Sequence, residues 1–388
     1  MNQKEISELR RRFRPEKSGI SRVYGCYVNG GREIISELDV SLGIATQEEA
    51  EKYLGFLKKA LSGALGKNLV DIVFTTQQVM DSDEHRLLSA LRDSELQDPE
   101  VRQQFYRKVI ETLNMEDSNY LILLAHDRYD VPYRGHDDSL QADASDQVFS
   151  YVVCCICPVK DAKPQLSYCA KEREFHNRTT GQVVSPPELG FLFPAFDDRA
   201  ANLYNALYYA RNPDELHQEL IDGLFHTEAP MSAAQQKEAF QSALGEALGE
   251  ACSYEVVQAV HEQLRERIQQ HKESKDPEPL GVSVDEVSRV LQNCGVAQSQ
   301  VSEFKLYCDQ EFGAGAALSP ANLIDSKKFQ LSTPEVKVIV DPESSYLVET
   351  RIIQGRKYIL IPADSGVEVN GVSIDISDPD AEPPSAAN

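Results

Sequence analysis

Between residues 120 and 209 the chain gathers most of its side chains capable of bond chemistry. His126-Asp127 and His136-Asp137-Asp138 are followed by Asp143 and Asp146, and these two imidazoles and five carboxylates fall within about twenty residues. Imidazole and carboxylate together suit Zn, Mn or Fe and the activation of a metal-bound water, as in a hydrolase or nuclease. The competing reading is an acidic, solvated connection that binds nothing. The His-Asp pairs of metal phosphohydrolases sit on helices with further histidines well separated in sequence, and no such set is recognisable here.

Three other groups invite the same comparison. Cys154, Cys155 and Cys157, with Cys169 and His176 downstream, allow a zinc site or a Cys157–His176 nucleophilic pair to be drawn. Their apolar neighbours Phe149, Tyr151, Val152, Val153 and Ile156 instead make a buried strand, which sends Cys154 and Cys157 to opposite faces. Gly190 to Arg199 reads as a strand entering a helix, with Asp197 as cap, Asp198 complementing the helix dipole, and Arg199 beside free backbone N–H groups that suit an anion. The N-terminus is the one strongly basic stretch. Arg10, Arg11, Arg12 and Arg14, with Lys17 and Arg22, suit an acidic partner or nucleic acid, or an arm that docks on its own acidic protein.

The whole chain is acidic. Its 388 residues carry 62 Asp and Glu against 39 Lys and Arg, a net charge of -23, which repels phosphate backbones and anionic membranes wherever positive charge is not concentrated. The segment starting at Met1 has no apolar core of a secretion signal, and the longest apolar runs, 120–125 and 148–159, are too short to cross a bilayer. Eight scattered cysteines in a chain of this size point to reduced thiols and a cytoplasmic protein.

The elements that must position these groups follow from periodicity. Ile6, Leu9 and Phe13 predict a short helix; 20–28 and 69–74 predict strands; 46–65 predicts a helix, and so does the stretch opened by Asp98 and Pro99. Strands are expected at 120–125 and 148–157, joined by a long polar loop over 126–147. Helices are expected at 200–210, 213–225, 233–248 and 254–270, the last with a stripe of Val256, Val257, Val260, Leu264 and Ile268. The pair of helices around Gly295 superficially resembles a DNA-reading hairpin, but its second helix offers Gln298, Gln300 and Glu303 rather than cations. Gly313-Ala314-Gly315 follows a helix and lacks the strand a dinucleotide loop needs. Beyond it, strands are expected at 336–340, 346–353 and 357–361, then a hairpin at Asn370-Gly371.

The expected class is therefore α+β: a mixed α/β domain over 1–195, a helical region over 196–271, a linker at 272–281, a helical hairpin and connection over 282–327, a small β module over 328–376 and a disordered tail at 377–388. The phrases Lys4-Glu5-Ile6-Ser7-Glu8-Leu9-Arg10, Cys155-Ile156-Cys157-Pro158-Val159, Gly190 to Arg199 and Val367 to Gly371 resemble domain-of-unknown-function family 4317, an uncharacterised family of anaerobic Gram-positive bacteria, over residues 1 to about 376. That resemblance implies a bacterial cytoplasmic protein and carries no site residues. With no nucleophile–base or metal set at a known spacing, the sequence points to a noncatalytic cytoplasmic binding or regulatory protein with a protein partner, no cofactor and no membrane. The alternatives are a metal-dependent hydrolase or nuclease on the 126–138 cluster and a nucleic-acid-associated protein acting through the N-terminal arm.

Overall fold

The computed structural model describes residues 1–134, 140–162, 165–169, 171–178, 181–364 and 366–374. Helix α1 (Gln3–Arg12) leads into strands β1 (Arg22–Val28) and β2 (Ile34–Ser41), helix α2 (Gln47–Lys59) and strand β3 (Leu69–Val73). Helices α3 (Thr76–Asp81), α4 (Asp83–Asp93) and α5 (Pro99–Thr112) precede the long strands β4 (Asn119–Arg134) and β5 (Leu140–Asp161). Six short strands follow: β6 (Gln165–Cys169), β7 (Glu174–Arg178), β8 (Gln182–Val184), β9 (Leu189–Phe193), β10 (Ala195–Asp197) and β11 (Ala200–Asn202). β12 (Asn205–Ala210) completes this part.

The main sheet is antiparallel, in the order β2-β1-β4-β5-β9-β12-β3, with β8 added beside β5. Both faces are covered. Alternate residues of the central strands, Ile122, Leu124, Cys154 and Ile156, pack under α4, α5 and α6, while Leu121, Leu123, Ala125, Val153 and Cys155 pack under α1 and α2. Double coverage explains why the central strands read as continuous apolar runs rather than as an alternating pattern. Each fully buried aliphatic side chain there contributes on the order of 2 kcal/mol.

Local signals set the flanking helices. In α1 the Asn2 side chain accepts from the Lys4 and Glu5 amides while the Glu5 carboxylate accepts from the Asn2 amide, and Ile6 and Leu9 are turned inward. Asp98 caps α5 and Pro99 occupies its first turn.

After β12 the chain becomes helical: α6 (Gln218–Phe225), α7 (Ala233–Leu248), α8 (Tyr254–Ser274), α9 (Val284–Asn293), α10 (Gln298–Phe312) and α11 (Pro320–Leu323), with the small ladder β13 (Val282–Ser283) and β14 (Ala317–Leu318). α7 to α11 enclose a separate core around Phe240, Leu248, Val260, Leu264, Leu291 and Phe304. Three two-stranded hairpins close the described chain: β15 (Phe329–Ser332) with β16 (Lys337–Val340), β17 (Glu349–Ile353) with β18 (Arg356–Leu360), and β19 (Val367–Val369) with β20 (Val372–Ile374). Phe329 anchors the first against Tyr254 and His261 of α8. Among the described residues no helix is long and apolar enough to cross a membrane.

Three expectations are corrected. The polar loop over 126–147 is, where described, a continuation of β4 and β5, whose pairing slips on either side of Pro132, a residue that donates no ladder hydrogen bond. Residues 200–210 are β11 and β12 rather than a helix, because Ala206 to Ala210 are buried as a central strand, and that environment overrides a helix-prone composition. The helix expected at 213–225 is confined to Gln218–Phe225.

Candidate functional site

Of the basic N-terminal stretch, Arg12 and Arg22 pair with the protein's own acids Asp127 and Asp39. Arg12 meets Asp127 with two prongs, Nε to Oδ2 at 2.6 Å and Nη2 to Oδ1 at 2.9 Å, and its guanidinium lies 4.5 Å from the centre of the Tyr129 ring. Tyr151 donates from its hydroxyl to Asp127 Oδ2 at 2.8 Å, and both Asp127 and Tyr151 are buried. Burial alone would lower the Arg12 pKa, but the Asp127 carboxylate outweighs it and raises it. Burial first, and then Asp127, push the Tyr151 hydroxyl well above its ordinary value.

One helical turn back, Glu8 accepts from the Tyr129 hydroxyl and from Arg199 Nη1 at 2.6 Å, and Arg199 Nη2 donates to the Pro132 carbonyl at 2.8 Å. Glu5 accepts from the Arg199 amide at 3.4 Å, and its carboxyl is pushed up, chiefly by burial. Asp197 faces the Met1 amino group and accepts from Asn202 Nδ2 at 2.7 Å.

The segment from Gly190 to Arg199 departs from the strand-to-helix expectation. Asp197 pairs with Ala200 across β10 and β11, and Asp198 and Arg199 between them have φ of 47° and 61°. That is a tight two-residue hairpin turn of the mirror-image kind. Left-handed backbone costs a non-glycine residue on the order of 1 kcal/mol. The bonds of Arg199 to Glu8 and Pro132 offset part of it, and neither Asp197 nor Asp198 caps a helix.

His126 and Asp127 diverge, as neighbours on a strand must. His126 lies on the opposite side of β4, with Nε2 2.8 Å from Ser150 Oγ, and burial lowers its pKa. His136, Asp137 and Asp138 lie outside the described residues, as do the side chains of Asp143, Asp146, Cys169 and His176. Cys155 and Cys157 share one face with their sulfurs 3.8 Å apart, while Cys154 packs on the other, and burial pushes the thiols of Cys154 and Cys155 well above their ordinary value. Among the described residues no group of three or more His, Cys, Asp or Glu side chains is placed to hold a metal ion.

A cleft of about 1240 Å³ opens where α1 meets the helical region, bordered by Glu8, Arg12, Tyr129 and Pro132 of the network above. Two clasps hold its walls together. The Gln3 amide donates to the Pro277 carbonyl at 2.9 Å and Asn2 Nδ2 to Glu278 Oε1 at 3.1 Å. Across the cleft, Asn322 Nδ2 donates to the Gly66 carbonyl at 2.6 Å and to Gln236 Oε1 at 3.0 Å.

Lys4, Arg11 and Lys17 line the α1 wall, and Lys272 and Lys275 line the wall at the end of α8. All five are exposed, and none makes an ion pair among the described residues. Three acids share the lining: Glu8, already bonded to Arg199 and Tyr129, and Asp276 and Glu278. In a chain of charge -23, this is a local concentration of unspent positive charge. Of the other basic candidates, Arg10 is half-buried with its Nε unpartnered, Arg14 is exposed, and neither lines the cleft.

Sequence reasoning placed Arg11 and Arg12 among candidate binders but treated Lys272 and Lys275 as part of a charged linker. The available signal was that two lysines precede a proline-bearing break in an otherwise acidic chain; only the fold brings them opposite α1. No curated protein and no solved structure matches the chain. A family model described as a domain of unknown function, DUF4317, matches residues 1–372, and the chain therefore belongs to the DUF4317 family.

Proposed function

We propose that this is a noncatalytic binding protein of the cytoplasm whose ligand is an anion held in the cleft between α1 and the end of α8. One observation carries the reading: five exposed cations on two facing walls, without ion-pair partners among the described residues, in a strongly acidic protein. Arranged this way, cations attract and hold a negatively charged ligand more strongly than scattered surface charge does. Beside the cleft, Asp127 is bonded by Arg12 and Tyr151, and Glu8 by Tyr129 and Arg199, so these groups serve one another, which favours a scaffold for binding over proton transfer by them; His271 also lines the cleft. Cysteines such as Cys26, Cys154 and Cys308 are buried free thiols, which suits a reducing compartment.

The test is calorimetric titration with inorganic phosphate, inorganic triphosphate and dodecyl phosphate at low and raised ionic strength. At least one of these anions should bind at low salt, weaken as salt screens the lysines, and lose affinity in an Arg11→Glu/Lys275→Glu variant. If none binds at low salt, or the double variant binds as the parent does, the reading fails.

A further inference from the structure

The cleft has an apolar side, two residues of which belong to no core. On α8, Val256, Val260 and Leu264 are buried in the helical core, but Ile268, the next residue of the same stripe, belongs to no core cluster and lines the cleft half-buried. Leu280, on the segment leading to β13, is likewise half-buried, outside every core and in the cleft wall. Leu65, itself packed against the core under α1 and α2, and Pro277 and Pro320 extend this lining. An α-helical stripe that runs one residue past its core would ordinarily end on a polar residue, since exposed aliphatic surface gains nothing in water. The cations sit on both sides of this apolar lining, at Lys4, Arg11 and Lys17 on one wall and at Lys272 and Lys275 on the other.

Resting on the anion-binding reading above, we propose that the ligand is a small amphiphilic anion: a phosphate or carboxylate head held by the lysines and Arg11, on an apolar body laid against Ile268, Leu280 and Leu65. A bare inorganic polyanion would satisfy the cations but leave the apolar wall wet. A neutral apolar molecule would cover that wall and leave the cations unanswered. The cavity volume is ample for a ligand of drug-like or metabolite size. The lining offers two aromatic rings, Tyr129 and the imidazole of His271, and Arg12 already lies over the first, which leaves little surface for stacked bases.

The experiment compares the full chain's affinity for dodecyl phosphate below its micelle concentration with that for inorganic phosphate, inorganic triphosphate and uncharged dodecyl maltoside. The expected result is that dodecyl phosphate binds best. Ile268→Ser and Leu280→Ser should each weaken it at least about tenfold, the effect of losing one aliphatic contact, with inorganic anion binding unchanged. Neither residue belongs to a core, so both variants should fold, and thermal melting confirms that they do. If triphosphate binds more tightly than dodecyl phosphate, or if neither serine variant affects dodecyl phosphate, this inference falls while the anion reading stands. If dodecyl maltoside binds as well as dodecyl phosphate, charge plays no part in holding the amphiphile and this inference falls, while the anion reading is decided by the inorganic anions.

Discussion

Replacing Asp127 with Ala should destabilise the N-terminal part of the protein by about 3–5 kcal/mol, the cost of leaving one partner of a buried ion pair uncompensated. The Asp127 side chain is fully buried and that of Arg12 is 18% exposed, so little of their interaction is screened by solvent. Removing the carboxylate strands a guanidinium that has two prongs on it and a Tyr151 hydroxyl that donates to it at 2.8 Å. The orphaned hydroxyl alone costs about 1–3 kcal/mol, and this overlaps with the pair's loss rather than adding to it. Urea unfolding followed by circular dichroism measures the total, and a double-mutant cycle with Arg12→Met isolates the coupling. A cost under about 1 kcal/mol, or additive single variants, would show that the arm is not anchored through this pair.

Gly19→Ala places a Cβ 2.3 Å from Asp127 Oδ1 and 2.8 Å from Arg12 Nη2, atoms held by their own bonds; a loss of about 1–3 kcal/mol is expected in the same unfolding assay, and no loss would mean that the pair shifts freely. Burial raises the Glu84 pKa, but Lys108, Ser82 and its own amide more than reverse this and hold it at about 2, below the ordinary value of 4.5. Its stabilisation is therefore present above pH 4.5 and lost as pH falls toward 2, and Lys108→Met should flatten that part of the stability profile. A Lys108→Met protein with the parent's slope between pH 4.5 and 2 would contradict the assignment. Cys154, Cys155 and Cys157 are buried and Cys294 is exposed, so a thiol reagent should label Cys294 quickly and the strand cysteines only as the protein opens. Fast labelling of the triplet in the folded protein would remove the packing account.

What was legible in the sequence was local. Helix α1, the Asp98–Pro99 start of α5 and the stripe of α8 follow from residues within a turn or two of one another. The buried cysteine strand follows from its own apolar run. β12 was misread because Ala, Leu and Tyr in succession suit a helix until a sheet neighbour on either side claims them. The turn at Asp198 and Arg199 lacks the usual glycine, since part of its stabilisation comes from Glu8 and Pro132, remote in sequence. Pairing of Arg12 with Asp127 joins residues 115 apart, and the cleft brings Lys272 and Lys275 opposite Lys4 and Arg11. One sequence holds no local trace of such pairings, so Lys272 and Lys275 read as a linker.

Hydrogen exchange with and without saturating dodecyl phosphate tests the cleft most directly, because it reports both walls at once without altering either. The account predicts added protection in the segment from Arg11 to Lys17 and in residues 272–281 together, with none in the exposed hairpin of β17 and β18. Protection confined to one wall, or appearing only in that hairpin, would contradict a ligand held between α1 and the end of α8.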